Sequence, residues 1–252
     1  MNQKNLQMLT DQVCHTVKLV HAEILGKLVT FCVPDRRDPI VRNNARGQFY
    51  EFPELLKLSK IVPKSGVIVD IGSNLGNHSL FFALFLNARK VIPFEPNKDV
   101  YDILISNVIV NGLYDIFDFS YLGVGVSDKN TGGYGVEKRE RNQGATKMLA
   151  GQGDLRVVRV DEELKSESPV LIKIDVEGME LLTLAGLSGL LRRCRPVIMI
   201  EIDNYNDEAF HEWAAHNDYE IVYTHQRYKK NKNYFLVDKD AASDALEILS
   251  NL

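Results

Sequence analysis

Leu171-Ile172-Lys173-Ile174-Asp175-Val176-Glu177-Gly178 sets three charges, each two residues apart, at the end of an otherwise apolar strand. Strand side chains alternate faces, so Lys173, Asp175 and Glu177 are expected to point the same way. A lysine and two carboxylates in such company are costly to desolvate unless they pair or face an open site. Open α/β sheets carry their chemistry at the carboxyl ends of strands, which is where this acidic pair falls. Lys173, Asp175 and Glu177 are therefore candidate catalytic residues. Glu201 and Asp203 end the following strand, so carboxylates on two adjacent strand ends, Asp175 and Glu201, can hold one Mg²⁺ among oxygen ligands. The same groups also read as an ion-pair network around Lys173 with no metal. His78 is a further candidate base because its unperturbed pKa lies near neutrality. It reads equally as a helix-start residue bonded locally.

A second group of residues points to a ligand. The first strand of the alternating region runs into Asp70-Ile71-Gly72-Ser73-Asn74-Leu75-Gly76-Asn77-His78, a glycine turn of the kind that offers backbone donors to a nucleotide-like molecule. Its spacing departs from the dinucleotide fingerprint, with Asn74 standing where a glycine lets backbone approach a pyrophosphate. Asp70 would repel a phosphate and suits a cationic ligand. The second strand ends in Phe94-Glu95-Pro96-Asn97, where an acid can accept both hydroxyls of a ribose. A ribose hook, an acidic turn and no phosphate cradle describe S-adenosylmethionine better than NAD. The expected donor-binding residues are Asp70, Gly72, Ser73, Asn74, Gly76, Asn77, Glu95, Pro96 and Asn97, with Gly125 on the third strand.

These segments, from Val69 to His78, Phe94 to Asn97 and Lys173 to Glu180, resemble the FkbM family of methyltransferases. Gly47-Gln48-Phe49-Tyr50-Glu51 is similar to that family's segment ahead of the core, and Arg195-Pro196 to Glu201 to its later strand. The glycine turn and Phe-Glu-Pro are shared by many methyltransferases, whereas Lys-Ile-Asp-Val-Glu-Gly is much more specific. The resemblance implies a Rossmann-like class I methyltransferase fold, S-adenosylmethionine as methyl donor, and usually O-methylation of a hydroxyl on a sugar, glycan or natural product. The alternatives are N-methylation of a small molecule and, further off, an NAD-dependent oxidoreductase. Methylation of nucleic acid is disfavoured, because an Asn/Asp-Pro-Pro-aromatic segment is missing after the fourth strand and the net charge is 30 − 34 = −4.

The elements that must position these residues read as an α/β alternation. Strands are expected at Val67–Ile71, Lys90–Phe94, Phe117–Val126, Val170–Asp175, Pro196–Ile202, Tyr219–Thr224 and Tyr234–Val237, with a small extra one at Val157–Val160. Helices are expected from about Asn77 to Asn87, Lys98 to Asn111, Met179 to Arg193 and Asp207 to Asn217. That pattern gives a mostly parallel seven-stranded sheet with helices on both faces. The short link before the last strand makes that strand antiparallel. Residues 1–60, with a helix over Leu6–Leu25 and a strand over Lys27–Val33, are expected to form a cap ahead of a 61–252 core. Residues 128–154 are expected to form a flap. Both should lie over the carboxyl ends, with Tyr50, Glu51, Asn142 and Gln143 facing the acceptor. The segment Met1 to Leu19 lacks the apolar core of a signal peptide. The longest apolar run, Leu80 to Leu86, is too short to span a bilayer. Three scattered cysteines form no metal spacing, and a reducing cytoplasm is the expected setting.

Overall fold

Alternating exposure along Val17–Ile24 marks it as a strand, β1, and the Leu25-Gly26 turn returns the chain into β2 (Lys27–Pro34) as an antiparallel hairpin. The computed structural model describes residues 17–36, 38–137 and 147–252. The helix expected over Leu6–Leu25 is thus replaced by a strand from Val17 onward. Leu25 and Gly26 both carry positive φ, 49° and 76°, the backbone of a two-residue hairpin turn. The chain then forms α1 (Pro39–Asn44), capped by Asp38, and α2 (Phe52–Ile61).

From Val67 the chain alternates as β3 (Val67–Ile71), α3 (Asn77–Phe85), β4 (Lys90–Phe94) and α4 (Lys98–Val110). Next come β5 (Val124–Val126), β6 (Thr131–Glu137), β7 (Lys147–Ala150), β8 (Leu155–Val158) and the short α5 (Val160–Glu163). The remaining elements are β9 (Pro169–Ile174), α6 (Glu180–Gly186), α7 (Ser188–Cys194), β10 (Val197–Asp203), α8 (Asp207–His216), β11 (Tyr219–Tyr228), β12 (Asn231–Asp238) and α9 (Ala242–Ser250).

Among the described residues the central sheet has six strands in the order β11-β12-β10-β9-β3-β4. Four of them, β4, β3, β9 and β10, run parallel, and β12 runs antiparallel to both neighbours. Seven strands were expected, and the missing one is Phe117–Val126. Asp118 Oδ1 accepts from the Ser120 N–H at 3.2 Å and pulls the backbone into a 3₁₀ turn. Only isolated bridges, Val91 to Phe117 and Glu95 to Leu122, tie that stretch to β4. The remnant β5 joins a second sheet, β5-β8-β6-β7, built from the region expected as a flap. Asn142 and Gln143 lie outside the described residues.

Two apolar clusters cover the faces of the central sheet. Val67, Val69 and Ile71 of β3 pack with α6, α7 and α8, while Ile68 packs with α2, α3 and α4. Period-two alternation therefore puts Asp70 on the α3 side, where its register partner is Lys173. The hairpin docks on that helical layer: Asn107 Oδ1 accepts the Cys32 N–H at 2.7 Å, and Asn111 brackets Thr30. Of the expected cap, the hairpin thus lies against α4, and the stretch from Asp38 to Tyr50 reaches the carboxyl ends of the strands. Among the described residues no helix is long and apolar enough to cross a membrane.

Candidate active site

Just past the carboxyl ends of β3, β4 and β9 lies a cavity walled by Gly72, Asn74, Glu95, Pro96, Gly125, Asp175 and Glu177. The turn after β3 must pass hard against β9. A Cβ on Gly72 would sit 1.8 Å from the carbonyl oxygen of Asp175, and its φ is +74°, so only glycine fits. Glu95 is buried and oriented by two backbone donors: Oε2 accepts from Asn74 N–H at 2.8 Å and Oε1 from Asn97 N–H at 2.9 Å. Burial pushes its carboxyl up to about 7, against the pull of those donors. The rest of the lining is apolar, including Ile71, Phe94, Val124, Val126 and Met179. Among the described residues no lysine or arginine lines the cavity, whereas three carboxyl groups do. That donor set fits a phosphate-free cation with a diol, and does not fit a dinucleotide.

Five residues expected to touch the donor stand behind the cavity. Asp70 is fully buried, accepting from Ser79 Oγ at 2.5 Å. Ser73 is buried with Oγ on the Phe94 carbonyl, Gly76 packs on Leu104, and Asn97 caps α4. Asn77 faces the chain before α2: its Oδ1 accepts from Tyr50 N–H at 2.9 Å and its Nδ2 donates to Tyr50 O at 3.1 Å. These five build the site and do not line it. The apolar wall carried no motif; its one signal was position at strand carboxyl ends.

Lys173 ties the centre together. Its side chain is 3 % exposed, and Nζ donates to Gly72 O at 2.7 Å while lying 3.3 Å from Asp70 Oδ1 and 3.5 Å from Asp175 Oδ2. Burial alone would lower its pKa, but Asp70 and then Asp175 outweigh that and raise it, so the ammonium is held charged. Lys173 lines neither cavity, and it touches their walls through Gly72 and Asp175. Asp175, whose side chain is 39 % exposed, follows β9 directly and lines both this cavity and the next.

The second cavity, about 200 Å³, shares Asn74, Asp175 and Glu177 with the first and is otherwise bounded by Asp38, Tyr50, Glu201, Tyr228, Lys230 and Asn231. Pairing of Ile200 with Ile174 brings Glu201 beside Asp175. Asn231 Nδ2 donates to Glu201 Oε1 at 2.5 Å. Burial, reinforced by Asp175, Glu51 and Glu177, pushes the Glu201 carboxyl up to about 9, so it carries a proton at neutral pH. Lys230 Nζ lies 3.2 Å from Glu177. Tyr50 and Tyr228 meet through their hydroxyls at 3.3 Å, and the Arg227 guanidinium sits 5.3 Å from the Tyr50 ring centre. Burial, then the Glu51 charge, raises the Tyr50 pKa and keeps the phenol protonated.

Two further expectations are corrected. His78 is buried with Nε2 3.1 Å from Glu51 Oε2, and it borders neither cavity. Glu51, expected to face the acceptor, is turned inward toward His78 and Asn233. Burial opposes its charge, yet those hydrogen bonds win and lower its pKa. As for the metal, no group of three or more His, Cys, Asp or Glu side chains gathers at ligating distance among the described residues. Asp175 has the Lys173 ammonium 3.5 Å from its Oδ2, and Glu201 Oε1 accepts from Asn231 Nδ2, so each carboxyl already has a protein partner.

The sequence family described as Methyltransferase FkbM domain matches residues 70–229. Hexuronic acid methyltransferase AglP of Haloferax volcanii is 26 % identical over 183 residues, 71 % of this chain and 72 % of that protein. The crystal structure of Methyltransferase FkbM from Methylobacillus flagellatus KT superposes with a TM-score of 0.50 at 17 % identity, covering 68 % of this chain and 43 % of that one. The chain thus spans less than half the length of that structure, and the likeness speaks for the fold. With well over half its length matched, the chain belongs to the FkbM family of S-adenosylmethionine-dependent methyltransferases.

Proposed function

We propose that the protein methylates a hydroxyl of a sugar or glycan. The observation that carries this reading is the junction of the two cavities at Asn74, Asp175 and Glu177, which lets a donor on one side meet an acceptor on the other. Bound in the first cavity, S-adenosylmethionine supplies an electrophilic methyl group on a cationic sulfur. Glu95 would accept the ribose hydroxyls, and Gly72 and Asn74 would flank the methionine portion. Asp175 Oδ2 would take the proton of the acceptor hydroxyl, which is a poor nucleophile until it does. Lys173 would hold Asp175 ionised, and the protonated Glu201 would donate a hydrogen bond to a neighbouring sugar oxygen.

The charge of the acceptor cavity selects among substrates. Asp38, Asp175 and Glu177 face it against one lysine, Lys230, while Glu201 is protonated; the remaining negative charge opposes nucleic acid and opposes a carboxylate as the methylated group. Tyr50 and Tyr228 offer ring faces to the C–H side of a sugar. The Haloferax volcanii relative, named for hexuronic acid, supports a sugar acceptor. Incubation with labelled S-adenosylmethionine and a saccharide panel tests the reading. Label in an alkali-stable methyl ether supports it, whereas label in an alkali-labile ester, on nitrogen or in RNA refutes it.

A further inference from the structure

The Tyr50 ring borders a second, larger opening on its far side. A cleft of about 540 Å³ runs between the hairpin end (Glu23, Ile24, Leu25) and the segment from Asn43 to Pro53. We propose that this cleft is a second sugar subsite, so that the acceptor is a saccharide of at least two residues, one methylated in the acid-lined cavity and its neighbour held here. The proposal rests on the sugar reading above.

Placement carries the argument. α1 borders both spaces: Pro39 and Ile40 at its start face the acceptor cavity, and Asn43 faces the cleft. At the helical rise those positions are ~6 Å apart, about the step from one sugar to the next. Tyr50 is the shared wall, and Arg227, stacked on its ring, lines only the cleft. Arg227 is itself fixed by Glu54 and Glu51, so the partition is rigid. The floor is fixed too, because Gly47 abuts the hairpin so closely that a Cβ there would lie 2.9 Å from Ala22 Cβ.

The chemistry of the lining is that of a carbohydrate site. Glu23, Arg46 and Gln48 make no side-chain hydrogen bond or ion pair among the described residues. They therefore keep planar donor and acceptor groups free around an aromatic ring. A guanidinium, a carboxamide and a carboxylate each engage two adjacent hydroxyls at once. The opposing charges of Glu23 and Arg46 leave the cleft near neutrality, in contrast to the acidic cavity beside it.

A glycan array carrying matched mono-, di- and trisaccharides tests this on the protein saturated with S-adenosylhomocysteine. Calorimetry on the best-bound series then supplies affinities. The disaccharide should bind about tenfold or more tighter than its terminal monosaccharide, the gain from two or so added hydrogen bonds. Arg46→Ala with Gln48→Ala, both exposed substitutions, should erase that gain and leave monosaccharide affinity unchanged. Equal affinity for mono- and disaccharide, or a gain that survives the double substitution, overturns the subsite alone. Binding of no saccharide overturns the sugar acceptor and the subsite together.

Discussion

Lys173→Met removes a charge without emptying the space it fills. The Lys173 side chain is 3 % exposed and the Asp70 side chain 0 %, so Asp70 would be left as an uncompensated charge under the sheet. Stripping one partner from a buried pair costs about 3–5 kcal/mol. Loss of the bond to the Gly72 carbonyl adds about 1 kcal/mol, while the more exposed Asp175 rehydrates at little cost. For a chain of this size that total lowers the melting temperature by about 8–24 °C. Urea unfolding and calorimetric scans would measure it. Asp70→Asn added to Lys173→Met should restore most of the loss, because the amide still accepts from Ser79. The pH dependence is a second reading. A lysine whose pKa is raised by folding contributes fully below its ordinary 10.5 and loses that contribution as pH climbs through the folded value. Wild type should therefore weaken above about pH 10.5 more steeply than Lys173→Met. A single-substitution loss under about 1 kcal/mol, or a double variant no better than the single, would refute the buried-pair account.

Asp175→Asn should cut turnover by about 10²-fold or more while S-adenosylhomocysteine affinity stays within a few fold, and near-normal turnover would place the base elsewhere. Glu95→Ala should weaken S-adenosylhomocysteine by about 1–3 kcal/mol in calorimetry, and an unchanged affinity would contradict its place as the ribose acceptor. Glu201, raised to about 9, binds more protons folded than unfolded, so wild-type stability falls as pH rises from 4.5 toward 9. Glu201→Gln should accordingly gain on wild type in urea midpoint between about pH 5 and 8, and parallel curves would count against the raised pKa. EDTA should leave turnover unchanged; a loss restored by Mg²⁺ would show that the ion displaces Lys173 or the Glu201 proton.

The central strands were legible because each is a short β-branched run bounded by turn residues, as at Val67–Ile71 and Lys90–Phe94. Period two also paired Lys173 with Asp175, although its closest contacts, Gly72 O and Asp70, come from β3 and its turn, and Glu177 pairs with Lys230 instead. The hairpin was misread because Val17 to Ile24 has apolar residues that satisfy both a helical and an alternating spacing. The helix expected over Met179–Arg193 divides at Leu187, where Gly186 packs so tightly that a Cβ would lie 2.1 Å from Ser127 O. Helices α1, α2, α5 and α9 went unread. Which glycine-turn residues touch a ligand was not legible, since burial behind the turn depends on tertiary contacts such as Leu104 against Gly76. The pairing of Glu51 with His78 likewise spans 27 residues and leaves no local trace.

The Asn77 carboxamide acts on Tyr50 as a neighbouring strand would, occupying its N–H and its C=O together. Asn77 follows the glycine turn of the first cavity, and Tyr50 is a wall of the second. Anything that stiffens the turn should therefore stiffen the wall, adding this amide to the shared residues Asn74, Asp175 and Glu177 as a link between the two ligands. The linkage is reciprocal: each ligand must raise the other's affinity by the same factor. Calorimetry of saccharide with and without S-adenosylhomocysteine should show that equality in wild type and a smaller factor in Asn77→Ala, the remainder coming from the shared walls Asn74, Asp175 and Glu177.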